Sequence, residues 1–447
     1  MSNDASAGPA PIRQAAPGSS RRTFLGTAGA TAGAMLLTSP QQVHAVHVAN
    51  DETLKIGLIG CGGRGLGAAT DALEADANCK LVAMADLFED SLQRGLRGLE
   101  KQEKFAGRID VPKERQFVGF DSYKQLLATD IDVVLLCSPP YYRPDHLEAA
   151  VAAGKHIFCE KPVAVDPVGA RRVMKVVDQV EASGLNLVSG LCWRYDLGLR
   201  ETVNRVLDGQ IGKIISTQAN YLTSPIWVRV RKPNMTDMEY QAWNWYYYVW
   251  LSGDHFLEQF VHSLDKAMWL HGDELPVKCY GQGGRETRDD ATQGDIYDHF
   301  AVVYEWADGT RTFAATRQFR DSFMDTEDYI FGTRGSAELI AHRIKGESPW
   351  QYTGPTPSMY LVEHQELFSA IRGNRPRINN GKYMTNSTRM GIMGREACYS
   401  GQIITDQEVV NSPQSLGPER LAMDAPPPAA LVRQPGQYRF PLPPQQA

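Results

Sequence analysis

The glycine loop Gly60-Cys61-Gly62-Gly63-Arg64-Gly65 constrains this chain most, because it follows the apolar run Leu54-Lys55-Ile56-Gly57-Leu58-Ile59 and opens a helix-like stretch. Glycines in GxGxxG spacing have separate mechanical tasks: a tight turn, bare backbone against a pyrophosphate, and close packing of helix on strand. Met84-Ala85-Asp86 comes next along the chain, about 20 residues on, where an acid holds the adenosine ribose hydroxyls. Loop and acid together predict a nicotinamide dinucleotide site with Gly60, Gly62, Gly63, Arg64, Gly65 and Asp86 as cofactor-binding residues. A carboxylate at Asp86 repels a 2′-phosphate and favours NAD, while Arg64 and Arg94 keep NADP open.

The apolar runs 54–59, 81–85, 133–137 and 156–159 read as buried parallel strands, separated by helical stretches such as 67–77 and 146–153, the latter closed by Gly154. Alternating β and α elements predict an α/β fold, a Rossmann doubly wound parallel sheet over residues 46–193. Beyond it, 217–222, 300–306 and 312–318 alternate in polarity, with a hairpin turn at Ala307-Asp308-Gly309. We expect a C-terminal α+β domain over 194–411 with a large open, mostly antiparallel sheet. Residues 412–447 are Pro-rich, including Pro426-Pro427-Pro428, and predict an extended tail. A length of 447 residues accommodates this division.

Charge and composition narrow the function classes. The 46 Lys+Arg against 52 Asp+Glu give −6, no footprint for nucleic acid. The seven Cys sit mostly in apolar runs as small hydrophobes, with no paired zinc-site spacing. Ser20-Arg21-Arg22-Thr23-Phe24-Leu25, a weakly apolar Gly/Ala/Leu stretch and Val43-His44-Ala45 have the layout of a twin-arginine export signal over residues 1–45. That layout predicts the twin-arginine export machinery as a partner and a periplasmic or otherwise exported location, with no membrane attachment after processing. This route resembles that of proteins exported folded with a cofactor inside.

Further motifs are Cys137-Ser138-Pro139-Pro140 with His146, and Gly154-Lys155-His156-Ile157-Phe158-Cys159-Glu160-Lys161-Pro162. With the glycine loop, they make residues 54–402 resemble the glucose-fructose oxidoreductase/inositol dehydrogenase/MocA family. The resemblance adds Ser138, Pro139, His146, Glu160 and Lys161 to the cofactor residues and places Lys161 against the nicotinamide and the reacting hydroxyl. An ammonium at the carboxyl end of a buried parallel strand suits that role, since ligands bind there and a cation stabilises a developing alkoxide. The second family signature reads here Ser252-Gly253-Asp254-His255-Phe256-Leu257-Glu258-Gln259-Phe260-Val261-His262-Ser263-Leu264-Asp265. It differs from the common pattern in carrying Glu258 for Asp and one glycine for two or three. Glu258 and His262, four apart, fall on one helical face. His262 is the expected general base, with Glu258 orienting it, so that Lys161, His262 and Glu258 form the catalytic set.

Lys161, Trp193, Arg194, Asp254, His255 and His262 are expected to hold the substrate, and the aromatic cluster Trp243, Trp245, Tyr246, Tyr247, Tyr248 and Trp250 offers ring faces to a sugar or cyclitol. Asp298-His299 is a weaker pair. No metal is assigned. The expected activity is hydride transfer between a tightly bound NAD(P) and a hydroxyl-bearing or keto carbon of a carbohydrate. The alternatives are a redox-neutral NAD-dependent glycosidase of the same fold, whose relatives tend to lack the Glu-Lys-Pro lysine, and a non-catalytic sugar-binding protein. The resemblance also implies a homo-oligomer, dimer or tetramer.

Overall fold

The computed structural model describes residues 52–443; the segment 1–45, expected to be a twin-arginine signal, lies outside the described residues. Six strands form the first sheet: β1 (Leu54–Ile59), β2 (Cys79–Asp86), β3 (Gln116–Val118), β4 (Val133–Leu136), β5 (His156–Cys159) and β6 (Leu187–Ser189). All pairings are parallel, in the order β3-β2-β1-β4-β5-β6. Every residue of β4 and β5 is buried, as expected for strands covered by helices on both faces. Between β5 and β6, the helix Pro167–Ser183 starts where the Asp166 carboxylate accepts the Gly169 N–H at 2.7 Å and Pro167 pre-sets the first turn; it stops at Gly184, φ +75°. The strand order reverses between β1 and β4, and at such a switch point a crevice opens outside the carboxyl ends of the strands.

The second sheet has nine strands: β7 (Ile214–Thr223), β8 (Lys278–Gly284), β9 (His299–Glu305), β10 (Arg311–Gln318), β11 (Asp328–Gly332), β12 (Gly335–Glu338), β13 (Arg343–Gly346), β14 (Trp350–Gln351) and β15 (Ile404–Thr405). Their order is β14-β13-β12-β11-β7-β10-β9-β8-β15. Most pairs are antiparallel, but β7 and β10 run parallel from Arg311↔Ser216 to Gln318↔Thr223. The sheet is mostly antiparallel as expected; the connection from β7 to β10 includes the helices of 237–269 as well as β8 and β9, and parallel neighbours require such a crossover. One face packs Phe300, Val302, Tyr304 and Ala314 against the buried helix Gly381–Ser400, while Phe313, Tyr280 and Phe331 stay exposed on the other.

The Pro-rich tail has no helix or strand through residue 443, yet it is tied down. The Tyr438 hydroxyl donates to Glu396 Oε2 at 2.7 Å, the Leu416 N–H donates to Asp166 Oδ2 at 2.8 Å, and Phe440 is buried. All seven cysteines are free thiols, six of them buried and Cys137 half-buried.

Candidate active site

A cleft of about 390 Å³ opens at the switch point. Gly60 ends β1 at φ +94°, and a Cβ there would stand 2.6 Å from the Cys137 carbonyl carbon and the Ser138 nitrogen. At Gly65 a Cβ would meet the Gly60 carbonyl oxygen at 1.8 Å. Only glycine fits either position. Around Gly62 and Gly63, by contrast, an added Cβ meets no protein atom, so bare backbone fronts the cleft at the start of the helix Gly63–Ala75. Gly65→Ala is therefore expected to abolish dinucleotide binding, measured by titration with NAD⁺, and to lower the melting temperature, since backbone would have to move.

Asp86, at the end of β2, also faces this cleft. It accepts the Cys61 N–H at 2.7 Å and the Phe88 N–H at 2.9 Å. Burial raises its pKa, and those two hydrogen bonds oppose the shift. Ser138, Pro139 and His146 line the same cleft, with Ser138 Oγ and His146 Nδ1 3.0 Å apart; burial and then Arg143 push the His146 pKa down to about 3. A turn of bare backbone, a helix start and an acid at the next strand end suit a dinucleotide.

Glu160 and Lys161, which line the same cleft, follow β5, and the Lys161–Pro162 peptide bond is cis. The buried Glu160 pairs with the Arg64 guanidinium and accepts the Lys161 N–H at 3.1 Å. Burial alone would raise its pKa, but Arg64, Lys161 and Arg143 hold it below the usual carboxylate range. The Lys161 ammonium donates to the Glu258 carbonyl oxygen at 2.6 Å and to Glu258 Oε1 at 3.2 Å. Both side chains are 14% exposed, enough to meet a ligand from the cleft.

The helix expected to carry Glu258 and His262 on one face is interrupted. It runs His255–Glu258, opens into a wider turn in which the Phe260 N–H donates to the His255 carbonyl at 3.2 Å, and resumes as Val261–Trp269. This turn points Glu258 at Lys161 instead of at His262, which corrects the expected orienting role of Glu258. His262 lines the cleft, its Nδ1 buried without a hydrogen-bond partner. Burial, then the charges of Lys161, Lys266 and Arg64, press its pKa well below the ordinary value of 6.5, so the ring is neutral at neutral pH.

Four expected substrate residues lie elsewhere. Asp254 is fully buried at φ +75°; its carboxylate accepts the N–H groups of His255 and Tyr297 and the Tyr399 hydroxyl, and it contacts His255 Nδ1 at 3.0 Å. Asp254 and His255 thus lock the turn before the broken helix onto its neighbours. Arg194 makes a two-pronged ion pair with Asp265 at 2.9 Å and reaches Asp273 at 2.6 Å. Trp193 packs near the buried core of 199–344 with Lys266 over its ring. Of the aromatic cluster only Trp245 lines the cleft, while Tyr246, Tyr247, Tyr248 and Trp250 are core. Asp298 and His299 do pair, His299 Nδ1 lying 2.8 Å from Asp298 Oδ1, but outside this cleft, and Asp298 Oδ2 accepts the backbone N–H groups of Glu286, Thr287 and Arg288.

Sequence reasoning missed Trp227 and Arg229, which line the cleft from the irregular segment after β7, and Tyr360, which packs over Arg64 from the helix Met359–Ile371. None has a local pattern that marks it.

Comparison with known proteins places these features in one family. Residues 54–183 match the Gfo/Idh/MocA oxidoreductase family model with NAD-binding Rossmann fold, and residues 199–338 match the Gfo/Idh/MocA C-terminal domain, together more than half of the chain. Inositol 2-dehydrogenase from Rhizobium meliloti (strain 1021) is 27% identical over 288 residues, 64% of this chain and 74% of that protein. Among solved structures, apo scyllo-inositol dehydrogenase from Lactobacillus casei superposes with a TM-score of 0.60 at 20% identity, covering 80% of this chain and 99% of that one. The WlbA dehydrogenase from Bordetella pertussis, in complex with NADH and UDP-GlcNAcA, gives 0.61 at 18% identity over 79% and 99%. These two structures share the fold. The chain is an oxidoreductase of the Gfo/Idh/MocA family with an NAD(P)-binding Rossmann layer.

Proposed function

We propose that this protein oxidises a secondary hydroxyl of a cyclitol or sugar, or reduces the corresponding ketone. The observation that carries this reading is the presence of Lys161 and a neutral His262 in the same cleft as the glycine loop. When bound, a nicotinamide dinucleotide supplies the two-electron acceptor for the carbon-bound hydrogen. His262 takes the hydroxyl proton through the ring nitrogen on the cleft side. The Lys161 ammonium, held by the Glu258 carbonyl and carboxylate, stands beside the same oxygen and stabilises its growing negative charge. The hydroxyl proton would thus pass to His262, with the bound dinucleotide supplying the two-electron chemistry at the carbon, and in reverse the imidazolium form of His262 would return that proton to the alkoxide.

The substrate class is supported by inositol 2-dehydrogenases among the relatives and by Trp245 in the cleft lining, an aromatic ring that suits the C–H surface of a sugar or cyclitol. NAD is the favoured cofactor, retained between turnovers and recycled by a second substrate. Residues 1–45 act as an export address for the folded, cofactor-loaded protein. The exposed sheet face bearing Phe313, Tyr280 and Phe331 pairs with a second copy, so light scattering should return more than the monomer mass. In a panel of cyclitols and sugars with NAD⁺, the ~340 nm band of reduced nicotinamide should appear with at least one compound. No band with any compound, but release of an aglycone from glycosides, would instead assign redox-neutral hydrolysis.

A further inference from the structure

After β7 the chain leaves the second sheet as residues 224–235, without helix or strand, and crosses to the Rossmann layer, where Lys232 Nζ meets Asp90 Oδ2 at 2.8 Å. Arg229 of this segment lines the same cleft as Asp86 and Phe88. Its guanidinium is fixed in place. Nη1 donates to the Trp243 carbonyl at 2.8 Å, the backbone N–H donates to Asn244 Oδ1 at 2.9 Å, and Cζ lies 4.6 Å from the Trp227 ring centroid and 4.3 Å from that of Trp243. Trp243 is itself braced edge-on by Phe88 at 5.5 Å. Arg94, on the helix Glu89–Glu100 after β2, stands over the other reach of Trp243, its Cζ 5.9 Å from the ring centroid.

Among the described residues neither Arg94 nor Arg229 forms an ion pair. Both attract Asp86 through space, yet each Asp86 oxygen already accepts a backbone N–H. Burial and then Arg94 press the Arg229 pKa downward, and the attraction of Asp86 opposes the shift without cancelling it. Arg229 beside one engaged carboxylate leaves a positive spot at the Asp86 end of the cleft, with Arg94 across Trp243 and outside the lining.

We propose that Arg229 is a cofactor-binding residue supplied by the second layer, and that it receives the 2′-phosphate of NADP beside Asp86, so the cleft accepts NADP as well as NAD. A planar guanidinium held between two rings is pre-organised for a phosphate. The inference rests on the reading of the cleft as a dinucleotide site, and it removes the strict preference for NAD that Asp86 alone implies.

The test is titration of the full chain, freed of nucleotide with charcoal, by NAD⁺ and NADP⁺ while tryptophan emission is followed; Trp227 and Trp245 line the site. Wild-type Kd values should agree within about tenfold, and Arg229→Ala should raise the NADP⁺ value about tenfold or more with less than about threefold change for NAD⁺. Arg229→Lys, which keeps the charge without the stacked plane, should fall between them and serves where the Ala variant misfolds. Equal losses for both dinucleotides would place Arg229 on the shared pyrophosphate and overturn the proposal. Unchanged affinities, or a wild type that binds NAD⁺ more than about a hundredfold tighter, would overturn it too. A wild type that binds neither dinucleotide would bring down the dinucleotide reading itself.

Discussion

Lys161→Met is expected to lower kcat about 10³-fold, roughly 4 kcal/mol of lost transition-state stabilisation, while changing dinucleotide affinity less than about tenfold. The ammonium is the cation directed at the reacting end of the cleft by both a carbonyl and a carboxylate of Glu258. Arg64, the neighbouring cation, is committed to Glu160 and reaches Glu363 at 3.4 Å. Removing Lys161 therefore deletes the charge at the alkoxide and leaves the glycine loop and Asp86 untouched. Steady-state kinetics with the responding substrate, alongside an NAD⁺ titration, separate the two effects. A variant with unchanged kcat would remove Lys161 from the chemistry.

His262→Ala should cost kcat about 10²–10⁴-fold, the range for a positioned proton acceptor. Its pH profile carries the sharper expectation. In the proposed role the histidine acts in its neutral form, and its pKa lies well below the ordinary 6.5 because burial and three nearby cations disfavour the charged ring. Wild-type kcat/KM should therefore hold level as pH falls from 8 through 6.5 and drop only at lower pH, where the ring gains a proton. In His262→Ala that acid limb should vanish and the residual rate should climb with hydroxide. An acid limb centred near 6.5, or one retained in the variant, would point to a different base.

How far these features could be read in the sequence depended on how local their causes are. The strands 54–59 and 156–159 match the structure end for end, because a parallel strand covered on both faces must be a continuous apolar run. The glycine loop was equally legible, since its spacing encodes a steric fit that the contacts at Gly60 and Gly65 reproduce. Period-2 alternation marked 217–222 and 312–318 as strands but says nothing about which strand lies beside which, so the parallel pairing of β7 and β10 was hidden. The motif around His262 was visible, whereas the wider turn at Phe260 that redirects Glu258 was not. Asp254 and His255 sit in that motif and yet face inward, because a left-handed backbone at Asp254 turns its carboxylate onto Tyr297 and Tyr399. Arg194 was drawn away by Asp265, 71 residues distant in the chain. Trp227 and Arg229 reach the cleft on a stretch without periodicity, which only the crossing between layers could reveal.

The central claim is that one carbinol carbon gives its hydrogen to a dinucleotide in this cleft while His262 takes the hydroxyl proton. The most direct test gives the protein a responding cyclitol or sugar with deuterium at the oxidised carbon, and then measures the mass of the nicotinamide cofactor recovered from it. We predict one deuterium in the recovered cofactor from the wild type and almost none from Lys161→Met or His262→Ala within the same interval. A cofactor of natural mass from a turning-over wild type, with the deuterium lost to water, would contradict the account.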